Sequence, residues 1–100
     1  MPKFGGTDSL WEVEYHPKAE KEIRQLSSQV GRRIRQTIEL LRSDPLLGKP
    51  LLGRLQGYRS RRIGEYRIVY LIEGESRTLF ILHVGPRGGA YPRSGRRKDR

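Results

Sequence analysis

Between Tyr58 and Val84 the chain reads YRSRRIGEYRIVYLIEGESRTLFILHV, three runs rich in β-branched and aromatic residues broken only at Gly64-Glu65 and Gly74-Glu75. Short runs of this kind punctuated by glycine are strands joined by turns. The pattern predicts strands over 58–63, 66–72 and 78–84, an antiparallel meander. In the middle run Tyr66, Ile68, Tyr70 and Ile72 alternate with Val69 and Leu71, so both faces are apolar. Such a strand is covered on both sides, which calls for helices on one face and leaves the other for a partner.

The first half of the chain supplies the helices. From Leu10 to Tyr15, Trp11, Val13 and Tyr15 alternate with Glu12 and Glu14, the mark of a half-buried strand. His16 reads as a helix cap and Pro17 as the first helical position. Ala19, Ile23, Leu26 and Val30 then recur at helical spacing, and Ser27-Ser28 offers a break and a second cap. Val30, Ile34, Ile38 and Leu41, joined by Leu40, form the stripe of a second helix. Arg42 suits its C-terminal dipole and Ser43-Asp44-Pro45 stops it. Residues 45–57, PLLGKPLLGRLQG, read as an irregular connection whose leucines plug the edge of the core. The fold class expected is α+β, ordered β-α-α-β-β-β: an antiparallel sheet with a two-helix hairpin packed on one face. One domain covers 9–91, after a flexible lead-in over 1–8 and before a basic, disordered tail over 92–100.

Charge concentrates where the strands are. Residues 1–56 hold ten basic and seven acidic side chains, whereas 57–100 hold eleven and four. Arginine makes up 16 of the 21 basic residues, a planar fork suited to phosphate oxygens. A net charge of +10 predicts attraction to nucleic acid, anionic lipid or an acidic protein, without choosing among them. The absence of cysteine excludes disulfides, thiolate chemistry and cysteine-ligated zinc, and makes reduced cytoplasm the natural compartment. No stretch has the length and apolarity of a signal core or a membrane span, so a soluble, non-secreted protein is expected. No spacing of His, Asp and Glu resembles a metal-ligand set, and no cofactor is called for.

Three segments, EYHPKAEKEIRQL, LLGRLQGYRSRRIGEYRIVYLIE and the closing HVGPRGGAY, carry a resemblance to the RelE family of toxins within the RelE/ParE superfamily. The resemblance spans roughly residues 10–91. It implies a small basic βααβββ domain that is held by an antitoxin and, when free, enters the ribosomal A site and cuts messenger RNA. On this resemblance Arg59 and Arg61 stand at two basic positions of the second strand. Arg67 matches the family arginine in GEYRIVY, and Arg87 and Tyr91 match the C-terminal arginine and tyrosine. Arginine stands at 59 and 61 where the family pattern has lysine, and Pro86 stands where a basic residue is often found.

Metal-free RNA cleavage requires a 2′-hydroxyl to lose its proton, a phosphorane-like charge to be stabilised and a 5′-oxygen to leave. Arg61, Arg67 and Arg87 are assigned the charge stabilisation, with Arg59 and Arg62 as phosphate contacts. The proton acceptor stays open: Tyr91 with its pKa lowered by arginines, Tyr91 as a stacking platform, or positioning on the ribosome alone. A strict two-residue loop at Gly64-Glu65 would set Arg61 against Ile68 and Arg62 against Arg67. A longer loop or a bulge would bring Arg61 opposite Arg67 on one face. The nuclease reading expects the second register. Arg62 otherwise reads as a solvated strand charge, and His83, in an apolar run, as a satisfied core imidazole. A gyrase-inhibiting toxin of the ParE type and a simple RNA-binding module are the rival readings.

Overall fold

The computed structural model describes residues 10–86. Strand β1 (Glu12–Tyr15) leads into helices α1 (Pro17–Arg24) and α2 (Ser28–Ser43). A two-residue strand β2 (Lys49–Pro50) follows, flanked by 3₁₀ turns over Pro45–Leu47 and Gly53–Leu55. Strands β3 (Tyr58–Ile63), β4 (Tyr66–Glu73) and β5 (Thr78–Pro86) complete one five-stranded sheet, ordered β1-β5-β4-β3-β2. The expected α+β class and element order are present, with one departure in direction and one extra strand. β1 lies parallel to β5, pairing Glu12 with Thr78 through Tyr15 with Ile81. Alternation is the same in parallel and antiparallel strands, so the sequence carries no signal for the direction of β1.

The caps form as their side chains dictate. His16 Nδ1 accepts from the Lys18 amide at 3.1 Å, and Ser27 Oγ accepts from the Val30 amide at 3.2 Å. Both satisfy amides that the first turn of a helix leaves without partners. Ala19 and Ile23 of α1 and Ile34, Ile38 and Leu41 of α2 are buried against Ile68, Tyr70, Leu79, Ile81 and Val84. Tyr66 and Ile72 pack beside them, so the set 66, 68, 70 and 72 faces the helices as its alternation requires. Leu40, expected on the same stripe, is instead 55% exposed. No helix among the described residues is long and apolar enough to cross a membrane.

The connection between α2 and β3 is held differently from the expectation. Three of its five leucines do not plug the core: Leu46, Leu47 and Leu52 are exposed, while Leu51 and Leu55 are half-buried. Polar bonds from beneath pin it instead. The Tyr70 hydroxyl, at the end of a fully buried ring, donates to Pro45 O and accepts from the Gly48 amide at 3.0 Å. Burial raises the Tyr70 pKa against the opposing pull of the Gly48 amide and of Arg59 and Arg61, which keeps the hydroxyl a donor. Replacing Tyr70 with phenylalanine should cost about 1–3 kcal/mol, because both main-chain partners lose their bond in a site water reaches poorly. Chemical denaturation with an unchanged m-value would measure that loss.

Candidate functional site

The β3–β4 turn sets the register on which the site depends. Gly64, with φ +59°, takes the first central position of a two-residue turn, as a type II′ hairpin demands. Ile63 therefore pairs with Tyr66, Arg62 with Arg67, Arg61 with Ile68 and Arg59 with Tyr70. The expected register is overturned: Arg61 does not oppose Arg67, and the two start from opposite faces of the sheet. Glycine in the left-handed region closes the turn with two residues, so nothing forces a longer loop. The later turn is longer than Gly74-Glu75 alone. It runs over 74–77 and closes with Arg77, at φ +51°, donating from its amide to Gly74 O.

On the helix-facing side Arg59 and Arg61 work on backbone. Arg59 donates from Nε and Nη2 to Gly48 O at 3.2 and 2.6 Å, and from Nη2 to Leu46 O at 3.4 Å. Arg61 Nη1 donates to Leu47 O at 3.2 Å. These two arginines clamp the connection that Tyr70 anchors. On the open face the register brings Arg62 against Arg67, next to Ser60, and β2 adds Lys49 opposite Ser60. A groove of about 340 Å³ runs there, lined by Leu47, Lys49, Ser60, Arg61, Arg62 and Arg67, with Pro50 and Leu51 beside them. Arg61 lines this groove too, although its register partner is Ile68 on the helix-facing side.

Like charges directly opposed across a strand pair repel, so Arg62 facing Arg67 favours whatever anion lies between them. Of the predicted set, the structure thus brings together Arg61, Arg62 and Arg67 at one groove and commits Arg59 to the connection. Arg87 and Tyr91, and the segments 1–8 and 92–100, lie outside the described residues. Lys49 and Ser60 were missed. Counting two residues back from Arg62 would have found Ser60; Lys49 depended on a strand too short for periodicity to reveal. Among the described residues no His, Asp and Glu cluster is arranged to hold a metal ion.

His83 departs from the satisfied core imidazole expected of it. Its Nδ1 lies 2.8 Å from Glu22 Oε2, but Nε2 is buried with no hydrogen-bond partner among the described residues. A shift of register between β4 and β5 makes Ile81 pair with Tyr70 and His83 with Val69, leaving Leu82 as an extra residue. That bulge turns His83 away from the face that Leu79, Ile81 and Val84 share.

Comparison with known proteins agrees with the fold. Residues 13–91 match the model of the family described as ParE toxin of type II toxin–antitoxin system, parDE. Toxin RelE of Mycobacterium tuberculosis strain H37Rv is 40% identical over 52 residues, which is 52% of this chain and 54% of that protein. A putative toxin RelE1 of Methanocaldococcus jannaschii is 30% identical over 84 residues, 79% of this chain and 92% of the relative. The chain spans about half the length of the mycobacterial RelE it matches. Among solved structures, the toxin–antitoxin complex RelBE2 of M. tuberculosis aligns with TM-score 0.73 and 31% identity, covering 78% of this chain and 99% of that one. The E. coli RelBE complex, at 22% identity and TM-score 0.68 over 76% of this chain and 95% of its own, shares the fold.

Proposed function

We propose that this chain, which belongs to the ParE toxin family of type II toxin–antitoxin systems, is an endoribonuclease that cuts messenger RNA in the ribosomal A site without a metal. The observation that carries the reading is the Arg62–Arg67 pair, set face to face by the two-residue turn in a groove that also holds Lys49 and Arg61. Fixed guanidinium groups aimed at one phosphate stabilise the charge that develops as the 2′-oxygen attacks. They need no reorganisation when the charge appears, because they stand on paired strands rather than loops. Arg67 and Arg62 hold the scissile phosphate, Arg61 holds a flanking one from the rim, and Arg59 acts through the connection it clamps. Arg87 and Tyr91 complete the proposed set with one more cation and a phenol that stacks on a base.

The partner that silences the toxin is an acidic antitoxin, whose carboxylates neutralise this face while its apolar residues cover exposed leucines. The similarity to the toxin in the RelBE2 toxin–antitoxin complex supports an antitoxin as the partner. Primer extension on messenger RNA bound to translating ribosomes tests the activity: cuts should appear in the A-site codon and nowhere on free RNA. Inhibition of gyrase supercoiling without such cuts would replace this reading with the gyrase-directed one. Single-stranded RNA retained on filters should dissociate with rising salt. Arg62→Ala should lower the slope of log affinity against log salt by about 0.7, one phosphate contact's worth.

A further inference from the structure

We propose that the groove between β1 and the two helices is a second RNA-binding site, in which Arg32 and Arg35 take phosphates and the Tyr15 ring stacks on a base. The inference goes beyond the nuclease reading, because the site holds RNA whether or not the open face cuts it.

The helical period builds the site. Ile34, Ile38 and Leu41 turn one stripe of α2 into the core. Ser28, Arg32, Arg35, Gln36 and Glu39 recur at three- and four-residue spacing on the opposite stripe, and all are exposed. Tyr15, the last residue of β1, closes one wall and is 40% exposed. Together these side chains line a groove of about 430 Å³. A second hollow of about 210 Å³ shares Tyr15 and Arg35 and runs on to Glu20, Ile23 and Arg24 of α1. Strand β1 is the sheet edge opposite to β2, and the groove has no lining residue in common with the one that holds Arg62 and Arg67. The two sites are therefore separate.

Charge is left over here. Glu20 pairs with Arg24 at 3.6 Å, and Glu39 is spent on Arg42 at 3.1 Å. Among the described residues nothing engages the Arg32 or Arg35 guanidinium in an ion pair or hydrogen bond. Two permanently charged forks thus stand on one helical stripe, with the nearby carboxylates already taken. Gly31 makes room for one of them. A Cβ there would lie 3.4 Å from Arg35 Nη1 and 4.0 Å from Ile23 O, so the guanidinium folds back over the helix towards α1. Burial raises the Tyr15 pKa and Glu39 adds to the rise, while Arg35 and Arg42 oppose it. The phenol therefore stays neutral near pH 7 and offers a phosphodiester no negative charge.

The lining favours a nucleic acid over a peptide. An acidic peptide would answer the arginines, but tight peptide docking also needs apolar anchors in pockets. Tyr15 and the buried Ile23 are the apolar residues of this lining. Stacking a base needs a single exposed ring. Ser28 and Gln36 beside it supply donors and acceptors for a base edge or a ribose hydroxyl.

Fluorescence anisotropy tests the site, with a short single-stranded RNA whose 2′-hydroxyls are methylated so that it cannot be cut. Arg32→Ala with Arg35→Ala should lower the slope of log affinity against log salt by about 1.4, two phosphate contacts' worth. Its melting temperature should match wild type, since neither side chain has a partner to lose. Tyr15→Leu should weaken binding by about 5- to 100-fold, and Tyr15→Phe should keep most of it because the ring does the stacking. On programmed ribosomes the double variant should raise the half-saturating concentration by about tenfold and lower the single-turnover rate at saturation far less, the reverse of Arg67→Ala. An unchanged salt slope in the double variant would overturn the proposal, as would a Tyr15→Leu variant that binds as wild type does. Labelled polyglutamate that binds more tightly than the RNA, and is lost in the double variant, would make the groove a protein-docking surface instead. A nucleoside monophosphate that moves the Tyr15 and Arg35 resonances at lower concentration than the RNA would make it a pocket for a free nucleotide. A wild type that binds RNA here yet cuts nothing on ribosomes would end the nuclease reading and leave this site standing.

Discussion

Arg67→Ala should slow A-site cleavage by about 100- to 1,000-fold, the range for removing one fixed donor from a developing charge. Arg62→Ala should approach that loss, whereas Arg61→Ala should stay within about tenfold by the same scale. The order follows from the register. Arg62 and Arg67 are directly opposed on the open face, while Arg61 leaves β3 on the other side and spends Nη1 on Leu47 O. Two like charges held together also make the double variant informative. With both arginines on one phosphate, Arg62→Ala with Arg67→Ala should lose less than the sum of the single changes in free energy. For Arg62→Ala, loss of stability should not explain the effect, because removing that exposed guanidinium relieves repulsion from Arg67. Melting temperatures near wild type, alongside single-turnover rates, would separate the two. Should Arg61→Ala prove the most damaging and Arg62→Ala leave the rate unchanged, the open face is not where the phosphate sits.

All the elements but β2 were legible in kind and order because each carries a local signature. The 2.0 period of 66–72, the 3.6 period of the two helices and the capping His16 and Ser27 are all short-range signals, and each element formed where its signal lay. What escaped depends on relations between segments. Whether Arg61 or Arg62 meets Arg67 turns on one residue of loop length, and glycine at 64 permits the shorter loop without revealing that it is used. The bulge at Leu82 is a mismatch between two strands, invisible in either alone. It turns His83 off the side that packs on the helices while leaving the ring buried, which an apolar run alone does not reveal. The leucines of 45–57 misled for a related reason. Apolarity suggests burial, but the connection is only two strand residues wide at the sheet edge and is fixed by hydroxyl, amide and guanidinium bonds.

Gly48→Ala should be the most damaging single change to stability on the edge of the sheet. Gly48 has φ −81°, a conformation any residue adopts, so its backbone does not require glycine. Space does. A Cβ there would stand 2.5 Å from Tyr70 Oη and 2.9 Å from both Tyr70 Cε1 and Ser60 O. The tyrosine ring is fully buried among Ile68, Leu79 and Ile81 and has nowhere to retreat. Main chain must move instead, pulling the Gly48 amide off Oη and Gly48 O off Arg59. Overpacking of about 1–3 kcal/mol joins the loss of bonds worth about 1 kcal/mol each. In a domain this small a loss of that size lowers the melting temperature by about 10 °C or more. The cause can be isolated in a Tyr70→Phe background, where the hydroxyl oxygen is gone and alanine at 48 meets only the ring edge and Ser60 O. There the same substitution should cost distinctly less, a coupling of about 1 kcal/mol or more between neighbours that share one bond. Equal costs in the two backgrounds would mean that the hydroxyl does not hold the connection. Lys49 and Leu47 would then owe their place in the groove to something other than this anchor.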